Sequence, residues 1–151
     1  MIFLIVLLIL SLDQLTKFVV VKNLFPNQSF PVIKGIFHIS LVYNRGAAFG
    51  ILKNQVALLI LTALFAVALI YFNIKKSRLK KLSLEKIALS LILAGAIGNL
   101  IDRICFGYVI DFLDFRIWPV FNVADSAITI GAILLGWTIL HVSNNLSNRA
   151  V

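Results

Sequence analysis

Four runs of about twenty mostly apolar residues dominate the chain: 1–21, 56–74, 82–101 and 123–142. A helix rises 1.5 Å per residue, so about twenty residues cross a hydrocarbon core roughly 30 Å thick. A backbone in lipid must satisfy its own hydrogen bonds, which restricts such runs to helices. The composition agrees. The chain is 61% hydrophobic over 151 residues, and its mean hydropathy is +1.03. A soluble domain is nearer 45–50% apolar. The sequence therefore predicts an all-α integral membrane protein with four transmembrane helices, and one membrane-embedded domain over residues 1–151. Residues 1–12 lack the basic start and small-residue cleavage site of a removable signal peptide, so they read as part of a retained first span.

A net charge of +8 raises nucleic-acid binding as a possibility. The cations sit in loops between apolar spans, and topology control explains them better. The second connection carries Lys75, Lys76, Arg78, Lys80, Lys81 and Lys86 within twelve residues. By the positive-inside tendency this loop is cytoplasmic. Both termini are then cytoplasmic, and loops 22–55 and 102–122 face outward. The first outer loop alternates Phe37, Ile39, Leu41 and Tyr43 with His38, Ser40 and Val42. That period of two predicts a small extracytoplasmic β-sheet, punctuated by Pro26, Pro31 and Gly35.

Acids in such a chain are expensive. A carboxylate at membrane depth costs roughly 2.5–3.5 kcal/mol on insertion scales. Yet Asp13, Asp102, Asp111, Asp114 and Asp125, five of the six acids, lie within or beside the spans. With alternating span directions they fall at one level, near the outer face. Asn99, Arg103 and Asn122 accompany them, and Lys17 follows Asp13 by one helical turn.

Several chemistries can be weighed against this cluster. His141 lies near the opposite end of the fourth span, and His38 reads as structural. A Ser–Lys pair would need Ser126 beside Lys17, and Lys17 is better suited to neutralise a carboxylate. A metal site is disfavoured by the internal cations Lys17, Arg45 and Arg103 and by the lack of a ligand-spacing motif, so neither metal nor cofactor is expected. The single Cys105 permits no internal disulfide. Paired carboxylates remain. Two held close share one proton, and the pair can act as base toward water and as acid toward an amide. Asp102 precedes Arg103 and could be tied to it, Asp13 lies one turn before Lys17, and Asp114 reads as more wetted. Asp111 and Asp125 have no basic residue within four positions, which favours them without excluding the others. A small four-span transporter or channel is the alternative, since intramembrane charges also mark ion paths. The inner halves of the spans are nearly bare of charge, which weighs against it.

Five segments, in this order, resemble the motifs of the lipoprotein signal peptidases, also called signal peptidase II: Asp13-Gln-Leu-Thr-Lys17, Asn44-Arg-Gly-Ala-Ala-Phe49, Gly98-Asn99-Leu-Ile-Asp102-Arg103, Val109-Ile-Asp111-Phe112 and Phe121-Asn122-Val-Ala-Asp125-Ser126. The resemblance covers nearly the whole chain. It implies an aspartic endopeptidase of the bacterial plasma membrane with Asp111 and Asp125 as the catalytic dyad. It implies that Asp13, Lys17, Asn44, Gly46, Asn99, Asp102, Arg103 and Asn122 line or support the site. The implied substrates are prolipoproteins whose cysteine carries diacylglycerol, cut on the amino side of that cysteine. An outer sheet, the family's β-cradle, would hold them. Membrane lipid, inhibition by globomycin-type cyclic peptides and a monomeric state are further expectations. Arg116-Ile-Trp118-Pro119 has no counterpart among these motifs.

Overall fold

A computed structural model describes residues 2–47, 52–76 and 83–147. Four helices carry the chain: α1 (Ile2–Asn23), α2 (Val56–Lys76), α3 (Leu84–Phe106) and α4 (Val123–Ser147). All four are long and apolar enough to cross a membrane. Three strands, β1 (Ser29–Ile33), β2 (Phe37–Asn44) and β3 (Val109–Asp114), form one antiparallel sheet in the order β1-β2-β3. The expected sheet in the first loop is therefore present, and the second long loop adds a third strand. Val42 pairs with Asp111 and Asn44 with Val109. A period-two reading of the first loop had no means of finding β3, because Val109–Asp114 is a nearly continuous buried run.

The third helix is the hub. Of its most apolar stretch 56% is buried, against 6% in α2. Small residues explain how α4 comes so close. A methyl group on Gly95 would collide with the Ala124 carbonyl oxygen, and one on Gly131 would lie 2.7 Å from the Ala88 carbonyl. In lipid, helix association depends on such close packing. Gly136, by contrast, has nothing within 4 Å of a built-on methyl among the described residues.

The third helix is also longer than the sequence suggests. It starts at Ser83, whose side chain accepts the Lys86 N–H, and continues past Asp102 to Phe106. Gly107, at φ 76°, supplies the left-handed residue that ends it and donates to the Arg103 carbonyl. Asp102 and Arg103 are thus helical and not in a loop. Lys86 is likewise a buried helical residue, and Lys75 and Lys76 finish α2. Arg78, Lys80 and Lys81 lie outside the described residues. The sheet packs on one end of the bundle through a small core of Val20, Leu41, Ile110 and Phe112.

Candidate functional site

At the sheet end of the bundle, α1 and α3 exchange charge. Lys17 is buried, and its Nζ lies 2.9 Å from Asp13 Oδ2 and 2.8 Å from Asp102 Oδ2. Its remaining donor goes to Asn99 Oδ1 at 3.1 Å. Gln14 Nε2 bridges the same two carboxylates, at 3.1 Å from Asp13 and 3.2 Å from Asp102. Each carboxylate also holds backbone. Asp13 Oδ1 accepts the Ala124 N–H at the start of α4, and Asp102 Oδ2 accepts the Ile110 N–H of β3. Buried charges persist when paired and fully hydrogen-bonded. This cluster meets that condition while tying α1, α3, α4 and β3 together. Gly98 makes room for it, since a methyl there would sit 2.6 Å from Asp13 Oδ2.

The Asn99 side chain leads from this cluster to a second one. With Oδ1 turned to Lys17, its Nδ2 donates to Asp125 Oδ1 at 2.7 Å. The start of α4 is a capping box built from Asn122 and Asp125. Asn122 Oδ1 accepts the Asp125 N–H at 2.9 Å, and Asp125 Oδ2 accepts the Asn122 N–H at 3.3 Å. The Nδ2 of Asn122 donates onward to Asp111 Oδ1 at 2.7 Å, and to Asn99 Oδ1 at 3.1 Å. The other Asp111 oxygen accepts from Asn44 Nδ2 at 3.0 Å. Asp111 and Asp125 therefore share one bridging residue, and neither is in an ion pair among the described residues. Burial pushes the Asp111 carboxyl up to about 7, and the Asp125 charge adds to it. Hydrogen bonds from Asn44 and Asn122 oppose that rise.

Both carboxyls face a cavity of about 1270 Å³. Its walls include Asn44, Gly46, Asn99 and Arg103, with Phe115, Ile117 and Trp118 on one side. Arg103 Nη2 donates to the Gly46 carbonyl at 3.3 Å, and the Gly46 N–H donates to Asn44 Oδ1. The ten predicted site residues thus fall into three connected groups: a charged base, an amide-held acid pair and a rim. Ala48 and Phe49, which end one of the predicted motifs, lie outside the described residues. No group of three metal-ligating side chains occurs among the described residues.

The comparisons with known proteins decide the family. The family model "Signal peptidase (SPase) II" matches residues 5–141. The chain belongs to the signal peptidase II family. It is accordingly a peptidase and a multi-pass membrane protein. A lipoprotein signal peptidase of Moorella thermoacetica is 48% identical over 140 residues, covering 91% of each chain. One from Caldanaerobacter subterraneus is 50% identical over 138 residues, covering 90% of this chain and 93% of that one. A bacterial membrane enzyme structure solved in meso at 2.3 Å superposes with a TM-score of 0.88 at 33% identity, over 95% of this chain and 90% of the other.

Within this signal peptidase II chain, two local expectations need correcting. Asp102 pairs with Lys17 and not with Arg103. Its helical neighbour points to the cavity rim, because adjacent helix residues do not share a face. Asp114 is buried, not wetted, because β3 carries it under Ser40 and Arg116. Burial alone would raise its carboxyl. Donors from the Ser40 hydroxyl and from the Arg116 backbone and guanidinium outweigh burial and hold it below the ordinary carboxylate range. Gln14 was not foreseen as part of the site. Its place inside the Asp13–Lys17 motif was the available signal. His38 lies on β2 with its Nδ1 2.9 Å from Ser29 Oγ. Ser126 donates to the Asn122 carbonyl and Lys17 is engaged elsewhere, so no Ser–Lys pair forms.

Proposed function

We propose that this chain is an aspartic endopeptidase that removes signal peptides from prolipoproteins, with Asp111 and Asp125 as its dyad. The single observation behind this reading is the pair itself: two carboxyls at one cavity, joined through Asn122, held by amides and backbone and in no ion pair among the described residues. Such a pair retains one proton between them near neutrality. In this reading Asp111, whose carboxyl burial pushes up to about 7, carries that proton. Asp125 then accepts a proton from water as the water attacks the amide carbonyl. Asp111 hydrogen-bonds the carbonyl oxygen and later a proton passes to the leaving amine. The Asn44, Asn99 and Asn122 amides orient the two carboxyls. The Lys17 ammonium acts through Asn99 as a fixed charge beneath them.

In this reading the substrate is a diacylglyceryl-modified prolipoprotein, cut on the amino side of the lipid-bearing cysteine. The lipid anchor and the signal peptide both hold the scissile region at the membrane surface, where the cavity opens. The sheet end of the bundle would face outward, with both termini cytoplasmic, the chain acting as a monomer and globomycin-type cyclic peptides occupying the same cavity. The concentration of polar side chains at one end supports a surface reaction over a path through the bilayer.

The test uses purified protein in detergent, a diacylglyceryl-modified prolipoprotein and a gel mobility readout. Wild type should release the signal peptide, and Asp111→Asn and Asp125→Asn should each fail while remaining folded. Retained cleavage in either variant would overturn the dyad.

A further inference from the structure

The stretch from Phe115 to Pro119 is a tightly held loop. Its ends are fastened. Phe121 bridges Leu113 of β3, with Leu113 N–H donating to the Phe121 carbonyl at 2.7 Å and the reverse bond at 3.1 Å. Phe115 lies between two rings, 4.9 Å from Phe37 and stacked 5.9 Å from Phe121. The interior is clamped by buried Asp114. One of its oxygens accepts the Arg116 N–H at 2.9 Å, and the other accepts the Arg116 guanidinium at 2.9 Å and the Ser40 hydroxyl at 2.7 Å. Arg116 itself sits at φ 66°, and Ile117 N–H closes a three-residue turn on the Phe115 carbonyl at 2.7 Å. A non-glycine residue held there is strained, and the strain persists only where surroundings enforce it.

What this enforced turn displays is apolar. Ile117 is 95% exposed and Trp118 is 59% exposed. Water offers no return for holding an isoleucine at a strained tip. The position of the loop supplies a different solvent. The apolar stretch of α4, Val123–His141, has 19 residues, about 28 Å of helix against a core of roughly 30 Å. Centred in the bilayer, a helix of this length puts Val123 at the edge of the hydrocarbon. Trp118 precedes it by five residues, no more than about 17 Å of chain. The headgroup layer is about 5–8 Å deep on each side, and tryptophan concentrates in it.

We propose that the Phe115–Pro119 turn is an interfacial lipid-binding element: Ile117 and Trp118 insert into the bilayer beside the start of α4, continuing its lipid-facing surface, and the Asp114 clamp holds the turn in the inserting conformation. The partner is the lipid surface itself. Phe115, Ile117 and Trp118 also wall the cavity, so the inserted turn sets one side of the cavity mouth against lipid. The insertion does not depend on the peptidase reading, and its test needs no activity.

One reporter, Trp118, is native to the chain. Trp118 and Trp137 are its two tryptophans and Cys105 its one cysteine. A nitroxide on Ile117→Cys, in a Cys105→Ser background and phosphatidylcholine–phosphatidylglycerol bilayers, reads its solvent. Collisions with oxygen should exceed those with a water-soluble nickel chelate. In Trp137→Phe, lipids brominated near the headgroup should remove most of the Trp118 emission, with aqueous acrylamide having little effect. Nickel-dominated relaxation at position 117 overturns the proposal whichever way Trp118 reads. Oxygen-dominated relaxation with Trp118 untouched by brominated lipid overturns it too, because the label alone would then be inserting.

Discussion

Asn122 has a side chain that serves two structures at once. Its Oδ1 caps α4, and its Nδ2 holds Asp111 and Asn99. Substitutions can separate these duties. Asn122→Ala should lose both, with a capping loss of about 1 kcal/mol. Serine caps as well as asparagine but has no amide to reach Asp111. Asn122→Ser should therefore recover much of the thermal stability in detergent while signal peptide release stays strongly reduced. At Asp111 the sign of the pH effect is fixed by its raised carboxyl. The protonated form stabilises the fold fully below the ordinary aspartate range, near 4, and that contribution is lost as pH rises toward about 7. Asp111→Asn cannot ionise, so its melting temperature relative to wild type should rise between pH 4.5 and 8. A difference that stays flat would contradict the raised carboxyl. Lys17 belongs to a costlier class. Lys17→Met leaves Asp13 and Asp102 facing each other in a dry site, and breaking a buried pair this way costs about 3–5 kcal/mol. Asp13→Asn, which leaves Lys17 its second partner Asp102, should cost less in the same melting assay. The residues of the site were legible because charges in apolar runs stand out. Among their partners, Lys17 was legible for Asp13, one helical turn away, but the pairings across the fold were not. Sequence spacing pairs Asp102 with Arg103, whereas the fold turns them to different faces and brings Lys17 from eighty-five positions away.

Among the elements, the four spans read directly from hydropathy, since nothing but a helix tolerates that composition in lipid. Their ends did not, because capping geometry decides them. Gly107, not the fall in hydropathy after Ile101, sets where α3 stops. The strand β3 escaped notice for the opposite reason: both of its faces are covered, which erases the alternation that revealed β2. Glycine carries the helix contacts. Gly95→Ala would force α3 away from the α4 backbone, and overpacking of this kind costs about 1–3 kcal/mol. It should lower the melting temperature and also the cleavage rate, because the displaced α4 start carries Asp125. Full activity in Gly95→Ala would mean that the α3–α4 spacing does not set the dyad. The Asp114 clamp has its own pH signature. A depressed carboxyl contributes stability above the ordinary range and loses it only as pH falls below. The Phe115–Pro119 turn should therefore keep its conformation through mildly acidic conditions.

For the molecule as a whole, the division of labour among the spans is uneven. Three helices and the sheet assemble the site, and α2 touches mainly α3. Leu59 is the one buried side chain among the described residues of α2. Lys17 and Gln14 on α1 can meet Asn99 and Asp102 on α3 only if those helices run the same way through the bilayer. A chain that crosses once must come back before it can cross again in that direction. The second helix is that return leg. Its sequence answers to the bilayer far more than to the protein, so most of it could be exchanged for another apolar span of equal length with processing retained. Removing it would reverse every later crossing and strand the two halves of the site on opposite surfaces.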